Sequence, residues 1–121
     1  MLAAMLPTVS VAAKETASYT LSLEKGNITT SASALLGYDA SGSQVEIPFA
    51  DCTKGAVIVT GTANTSTGES NRIDVTIPSG YNVALTLKNV SRTSTAASAS
   101  DGIVVRGNAG GTLTLYIDGE N

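Results

Sequence analysis

The sequence predicts an all-β chain, folded as a parallel β-helix that is incomplete at its C-terminus. Three observations carry this. Apolar and polar residues alternate in short runs, the runs recur every 28 to 30 residues, and the turns between them are too short for covering helices. The alternative is a β-sandwich, which has no need of a fixed period and commonly carries a core Trp; this chain has none.

The alternation is strict at Val45, Ile47 and Phe49 and again at Ile73, Val75 and Ile77. Shorter pieces are Val57 with Val59, Leu85 with Leu87, Ile103 with Val105, and Leu113 with Leu115 and Ile117. A period of two places one face of a strand in a core. A shift of 28 residues lays Gln44–Thr62 on Arg72–Val90 without a gap, matching Val45 to Ile73, Ile47 to Val75, Phe49 to Ile77, Val57 to Leu85 and Val59 to Leu87. A third copy begins at Gly102. Ile103 and Val105 follow Ile73 and Val75 at a shift of 30, and Leu113 and Leu115 follow Leu85 and Leu87 at 28. Residues 44–121 therefore read as about three coils, the last one cut short.

One coil cannot stand alone. Burying Ile73, Val75, Ile77, Val83, Leu85, Leu87 and Val90 contributes roughly 10–20 kcal/mol at ~1.5–3 kcal/mol each. Ordering some 28 residues costs about 1–2 kcal/mol each in backbone entropy. Each copy must share its core and its backbone hydrogen bonds with neighbours, which strands stacked in parallel ~4.8 Å apart achieve.

The remaining regions differ. Residues 1–13 (MLAAMLPTVSVAA) carry no charge and end in small-x-Ala patterns, the mark of a secretory signal remnant; that points to an extracellular or cell-surface location. Residues 14–43 hold a strand-like alternation at Tyr19, Leu21 and Leu23 and a turn-rich connector over 37–43, expected to cap the first coil. The polar loops 62–71 and 91–101 fall at the same point of successive coils and should lie side by side. The C-terminal edge is expected to stack against the remainder of a longer chain or against another copy in a homo-oligomer.

Composition excludes much chemistry. The chain of 121 residues has a net charge of −3, which does not suit a nucleic-acid partner. It has no His, so the usual general base and the commonest zinc ligand are missing. Its single Cys, Cys52, aligns with Gly80 in a turn and cannot form an internal disulfide. The reading is of a non-enzyme that needs no cofactor.

The runs RIDVTIPSG (72–80), VALTLKNV (83–90), GIVV (102–105) and TLTLYIDGEN (112–121) resemble the right-handed β-helix of the pectate-lyase-like superfamily. More narrowly, they resemble its non-catalytic coils in bacterial cell-surface proteins of carbohydrate-binding or adhesin type. The resemblance implies a spacer or adhesin that contacts a glycan or a host or cell-surface component. Lyases of this superfamily pair a Ca²⁺-binding acidic cluster with an Arg or Lys base, so a fragment of a Ca²⁺-dependent lyase or hydrolase stays open. So does a self-assembling structural element. An inward Asn row is common in the superfamily; here Asn89 lines up with Gly61 and Ile117, so none is expected.

Candidate site residues follow from the predicted outward rows. Glu46 and Asp74 would stand on adjacent coils, ~4.8 Å apart, where two carboxylates could hold Ca²⁺. Arg106 would lie near Asp74. Tyr81 in a turn, and Tyr116 with Lys88 one coil away, could offer aromatic and cationic contacts to a sugar. Asn64, Glu69, Asn71, Arg92 and Asp101 give the paired loops their polar groups. The rows Ile58, Thr86, Thr114 and Thr60, Lys88, Tyr116 are too mixed for a water-ordering Thr array.

Overall fold

A computed structural model describes residues 18–64, 71–93, 102–106 and 110–121. The signal-like segment 1–13 and the candidate residues Glu69 and Asp101 lie outside the described residues. The fold is all-β. Nine strands lie among the described residues: β1 (Tyr19–Ser22), β2 (Thr29–Thr30), β3 (Ala34–Tyr38), β4 (Gln44–Pro48), β5 (Val57–Asn64), β6 (Ile73–Val75), β7 (Asn82–Thr93), β8 (Ile103–Val105) and β9 (Thr112–Asp118). Among the described residues the one helical piece is a 3₁₀ turn at Phe49–Asp51.

Four strands form a parallel sheet in the order β1-β5-β7-β9. Its register runs Tyr19 to Val57 and Leu21 to Val59, then Val59 to Leu87, then Leu85 to Leu115 and Leu87 to Ile117. The alternation explains the faces. Leu21, Val57, Val59, Val83 and Leu85 are fully buried, while Thr20 and Lys88 are exposed. A second parallel pair joins β6 to β8, with Ile73 beside Ile103 and Val75 beside Val105, as their shift of 30 predicts. On the other side of β6, Ile28 bridges to Ile73, also in parallel. The two parallel sheets enclose one core, which includes Leu21, Val59, Leu85, Ile73, Val75 and Ile77.

Three expectations are corrected. Val45, Ile47 and Phe49 do not stack on Ile73, Val75 and Ile77. Instead β4 pairs antiparallel with β3, so that Ile47 meets Leu35 and Val45 meets Gly37, and Ile28 takes the place beside Ile73. The reason is local. The Asp39 carboxylate accepts the backbone N–H groups of Ser41 and Ser43 at 2.9 and 3.0 Å, and Gly42 supplies a φ of +90°. That turn folds the chain straight back on itself. Most of the expected 37–43 connector is thus a hairpin turn, with Gly37 and Tyr38 already in β3.

The third copy also sits differently. Leu115 pairs with Leu85, not Leu87, and Leu113 with Val83, a uniform shift of 30. Finally, β5 and β7 run on through the starts of the expected loops, pairing Thr62 with Ser91, Ala63 with Arg92 and Asn64 with Thr93. A bulge at Asn89, whose φ is +53°, advances the register from 28 to 29 there.

Candidate functional site

The two ends of the stack are built from different chemistry. At the β1 end the β2-β3-β4 sheet brings a hairpin against the first parallel strand. Leu21, Leu35 and Ile47 are all 0% exposed there, and a side chain at Gly37 would press on the Leu21 methyl groups. At the other end β9 and β8 are edge strands. The inward residues Ile117, Val105 and Ile103 are 64%, 48% and 39% exposed.

A polar cleft of about 310 Å³ opens beside the hairpin. Lys25, Asn27, Tyr38, Gln44 and Asn71 line it, with Leu36 among its apolar contacts. Three elements bring these residues together. Tyr38 and Gln44 are cross-strand partners on β3 and β4. The Tyr38 ring lies on Gly26, where any side chain would collide with it. Two carboxamides are fixed by backbone bonds. Asn27 Oδ1 accepts the Arg72 N–H at 2.8 Å, and Asn71 Nδ2 donates to the Leu23 carbonyl at 2.9 Å. Among the described residues, no bond uses the other half of either amide. No salt bridge among the described residues uses Lys25.

Asn71 is thus the one candidate residue that lines this cleft. Arg92 lies close by, its Nε donating to the Asn71 carbonyl at 2.9 Å. Asn64 ends β5 opposite Thr93. Tyr38, Gln44, Asn27 and Lys25 are not among the predicted site residues. Two further carboxamides join β7 to the segment after β9, the first at Asn89. Its Oδ1 accepts the Glu120 N–H at 3.0 Å, and Asn121 Oδ1 accepts the Val90 N–H at 2.8 Å.

The other candidates are dispersed or engaged. Glu46 and Asp74 do not form a pair: Glu46 faces Leu36 across the hairpin, while Asp74 faces Val104. Arg106 does reach Asp74, as expected. Its Nε and Nη2 donate to the two carboxylate oxygens, each at 2.8 Å, and Arg72 adds a bond at 3.1 Å. The Arg106 hydrogen bond, ahead of the charges of Arg106 and Arg72, holds the Asp74 carboxyl below its usual range despite the opposing effect of burial. Both oxygens are spent, so Asp74 has little left for a cation. Among the described residues no three His, Cys, Asp or Glu side chains are grouped to hold a metal.

Lys88 and Tyr116 are not cross-strand partners. The shift of 30 puts Lys88 beside Asp118 and Tyr116 beside Thr86. Lys54 instead covers the Tyr116 ring, with Nζ 5.0 Å from its centroid. Tyr81 is exposed and tilts against Phe49, with centroids 5.3 Å apart. Cys52 is buried rather than on an open turn, and burial, aided by Asp51, pushes its thiol up to about 11. That environment disfavours the nucleophilic thiolate.

Comparison with protein-family models, curated proteins and solved structures finds no match. Among the described residues no helix is long and apolar enough to cross a membrane.

Proposed function

We propose that this chain is a β-helical module of the cell exterior, a spacer of adhesin type that contacts carbohydrate at the cleft beside its hairpin. The in-register parallel pairing of β5, β7 and β9 and of β6 and β8 supports the β-helix over a sandwich, whose sheets are antiparallel. The uncharged small-residue start of the sequence supports export.

The observation that carries the ligand reading is the convergence of Lys25, Asn27, Tyr38, Gln44 and Asn71 on one cleft. Fixed carboxamides donate to and accept from sugar hydroxyls, and a ring covers the apolar face of a pyranose. The lyase-fragment alternative needs a free carboxylate at Asp74, which its two arginines occupy. The test is retention of the purified chain on immobilised glycans. Retention should be lost on Gln44→Ala with Lys25→Ala and persist on Tyr81→Ala. Retention on no glycan, or retention indifferent to the cleft substitutions, contradicts the reading.

A further inference from the structure

We propose that β9 is a self-pairing edge, through which two copies of this chain close into a two-fold dimer. The inference rests on the register of β7 with β9 and is independent of location and of the cleft.

Four exposed large hydrophobic residues stand among the described residues, and three of them, Ile103, Val105 and Ile117, belong to the open end. Nothing in β9 blunts an edge. It is seven residues long, lacks proline and glycine, and carries no charge before Asp118. The backbone settles which groups are unpaired among the described residues. Thr112 N–H donates to the Tyr81 carbonyl, so alternate residues Thr112, Thr114, Tyr116 and Asp118 turn their N–H groups towards β7. Leu113, Leu115 and Ile117 then turn their N–H and C=O groups outward. The same three residues supply the inward apolar side chains of the strand.

An antiparallel copy of β9 centred on Leu115 satisfies both sets at once. Leu115 meets Leu115, and Leu113 meets Ile117 on either side. In an antiparallel ladder these are the pairs that exchange both backbone bonds, and all their side chains continue the core. Thr112 falls opposite Asp118 and Thr114 opposite Tyr116, so no like charges face each other. Head-to-tail growth is disfavoured, because the opposite end already buries Leu21, Leu35 and Ile47 beneath its hairpin. An isologous interface is closed, which predicts a dimer and not a fibre.

Sedimentation across the micromolar range tests this with the intact chain. The expected result is a reversible monomer–dimer equilibrium. Ile117→Lys should weaken it by roughly tenfold or more, since the ammonium would be buried without a partner. The circular dichroism of that variant should stay unchanged, because Ile117 is mostly exposed in the single chain. Glu46→Lys, exposed on β4 in the hairpin sheet, should leave association intact. A second measurement fixes the register: Leu115→Cys should oxidise to a covalent dimer, whereas Thr112→Cys should not. A monomer at every concentration overturns the proposal. So do growth to an indefinite series of sizes, and dimers that ignore Ile117→Lys.

Discussion

The hairpin end and the β9 end close the same stack in opposite ways. At the first, the chain departs from its own repeat. The Asp39 turn folds β4 against β3, and the inserted pair brings Leu35, Ile47 and Phe49 over residues that an edge strand would otherwise expose. At the second, β8 and β9 lie at the edges of their sheets and leave Ile103, Val105 and Ile117 exposed. A parallel stack gains burial from each neighbour, so its terminal strands are the weakest unless something irregular covers them. The difference teaches that departure from the period is where capping lies, and strict adherence to it is where pairing stays available.

The largest effect should separate the two ends. Leu21→Ala and Ile47→Ala should each cost about 2–5 kcal/mol in urea unfolding, the usual loss for a fully buried aliphatic side chain. Ile117→Ala should cost well under about 1 kcal/mol when measured on the monomer, because most of that side chain is in water. Equal losses at the two positions would break the contrast.

A smaller effect sharpens it. Asn89 holds a left-handed conformation and accepts the Glu120 N–H, tying β9 to β7 at its C-terminal end. Asn89→Ala should cost about 1–2 kcal/mol from the lost bond and the φ penalty. Hydrogen exchange of the Glu120 amide should speed up accordingly. Unchanged exchange would mean the tie contributes nothing.

Cys52 probes the interior behind the hairpin. With its thiol pushed up to about 11, it should resist alkylation at neutral pH in the folded chain and react once the chain is unfolded. Rapid native labelling would show that β4 and its 3₁₀ turn open readily.

The smallest effect is a pH dependence. Hydrogen bonds to Asp39 from Ser41 and Ser43, and to Asp74 from Arg106, lower both carboxyls on folding. A group lowered on folding stabilises the fold above its unfolded value, near ~3.9, and loses that contribution as pH falls through the folded value. Stability should therefore decline below about pH 4. The decline should be shallower in Asp39→Asn, and its screening by solvent keeps it small because Asp39 is at the surface.

Much of the fold was legible in the sequence, within a definable limit. Alternation located the apolar strands, and the match of Ile73 and Val75 to Ile103 and Val105 identified a true parallel pair. Alternation repeats every two residues, however, so sliding a strand by two leaves every side chain on its proper face. That degeneracy is why Leu115 could be matched to Leu87 when it pairs with Leu85. It also hides direction: Val45, Ile47 and Phe49 fit the repeat as well as a strand of opposite sense would. The readable clue was the Asp39-Ala40-Ser41-Gly42-Ser43 turn, with an Asx residue and a glycine set to reverse the chain. The cleft was harder to see. Lys25, Asn27, Tyr38, Gln44 and Asn71 come together only through the hairpin, so a reading without the hairpin could not assemble them.

Methyl–methyl contacts in a sample with labelled Ile, Leu and Val side chains test the parallel stack most directly. The account predicts contacts from Ile73 to both Ile28 and Ile103, from Leu85 to Leu115, and from Ile47 to Leu35, with none from Val45 to Ile73. A Val45–Ile73 contact, or Ile73 isolated from both Ile28 and Ile103, would contradict it.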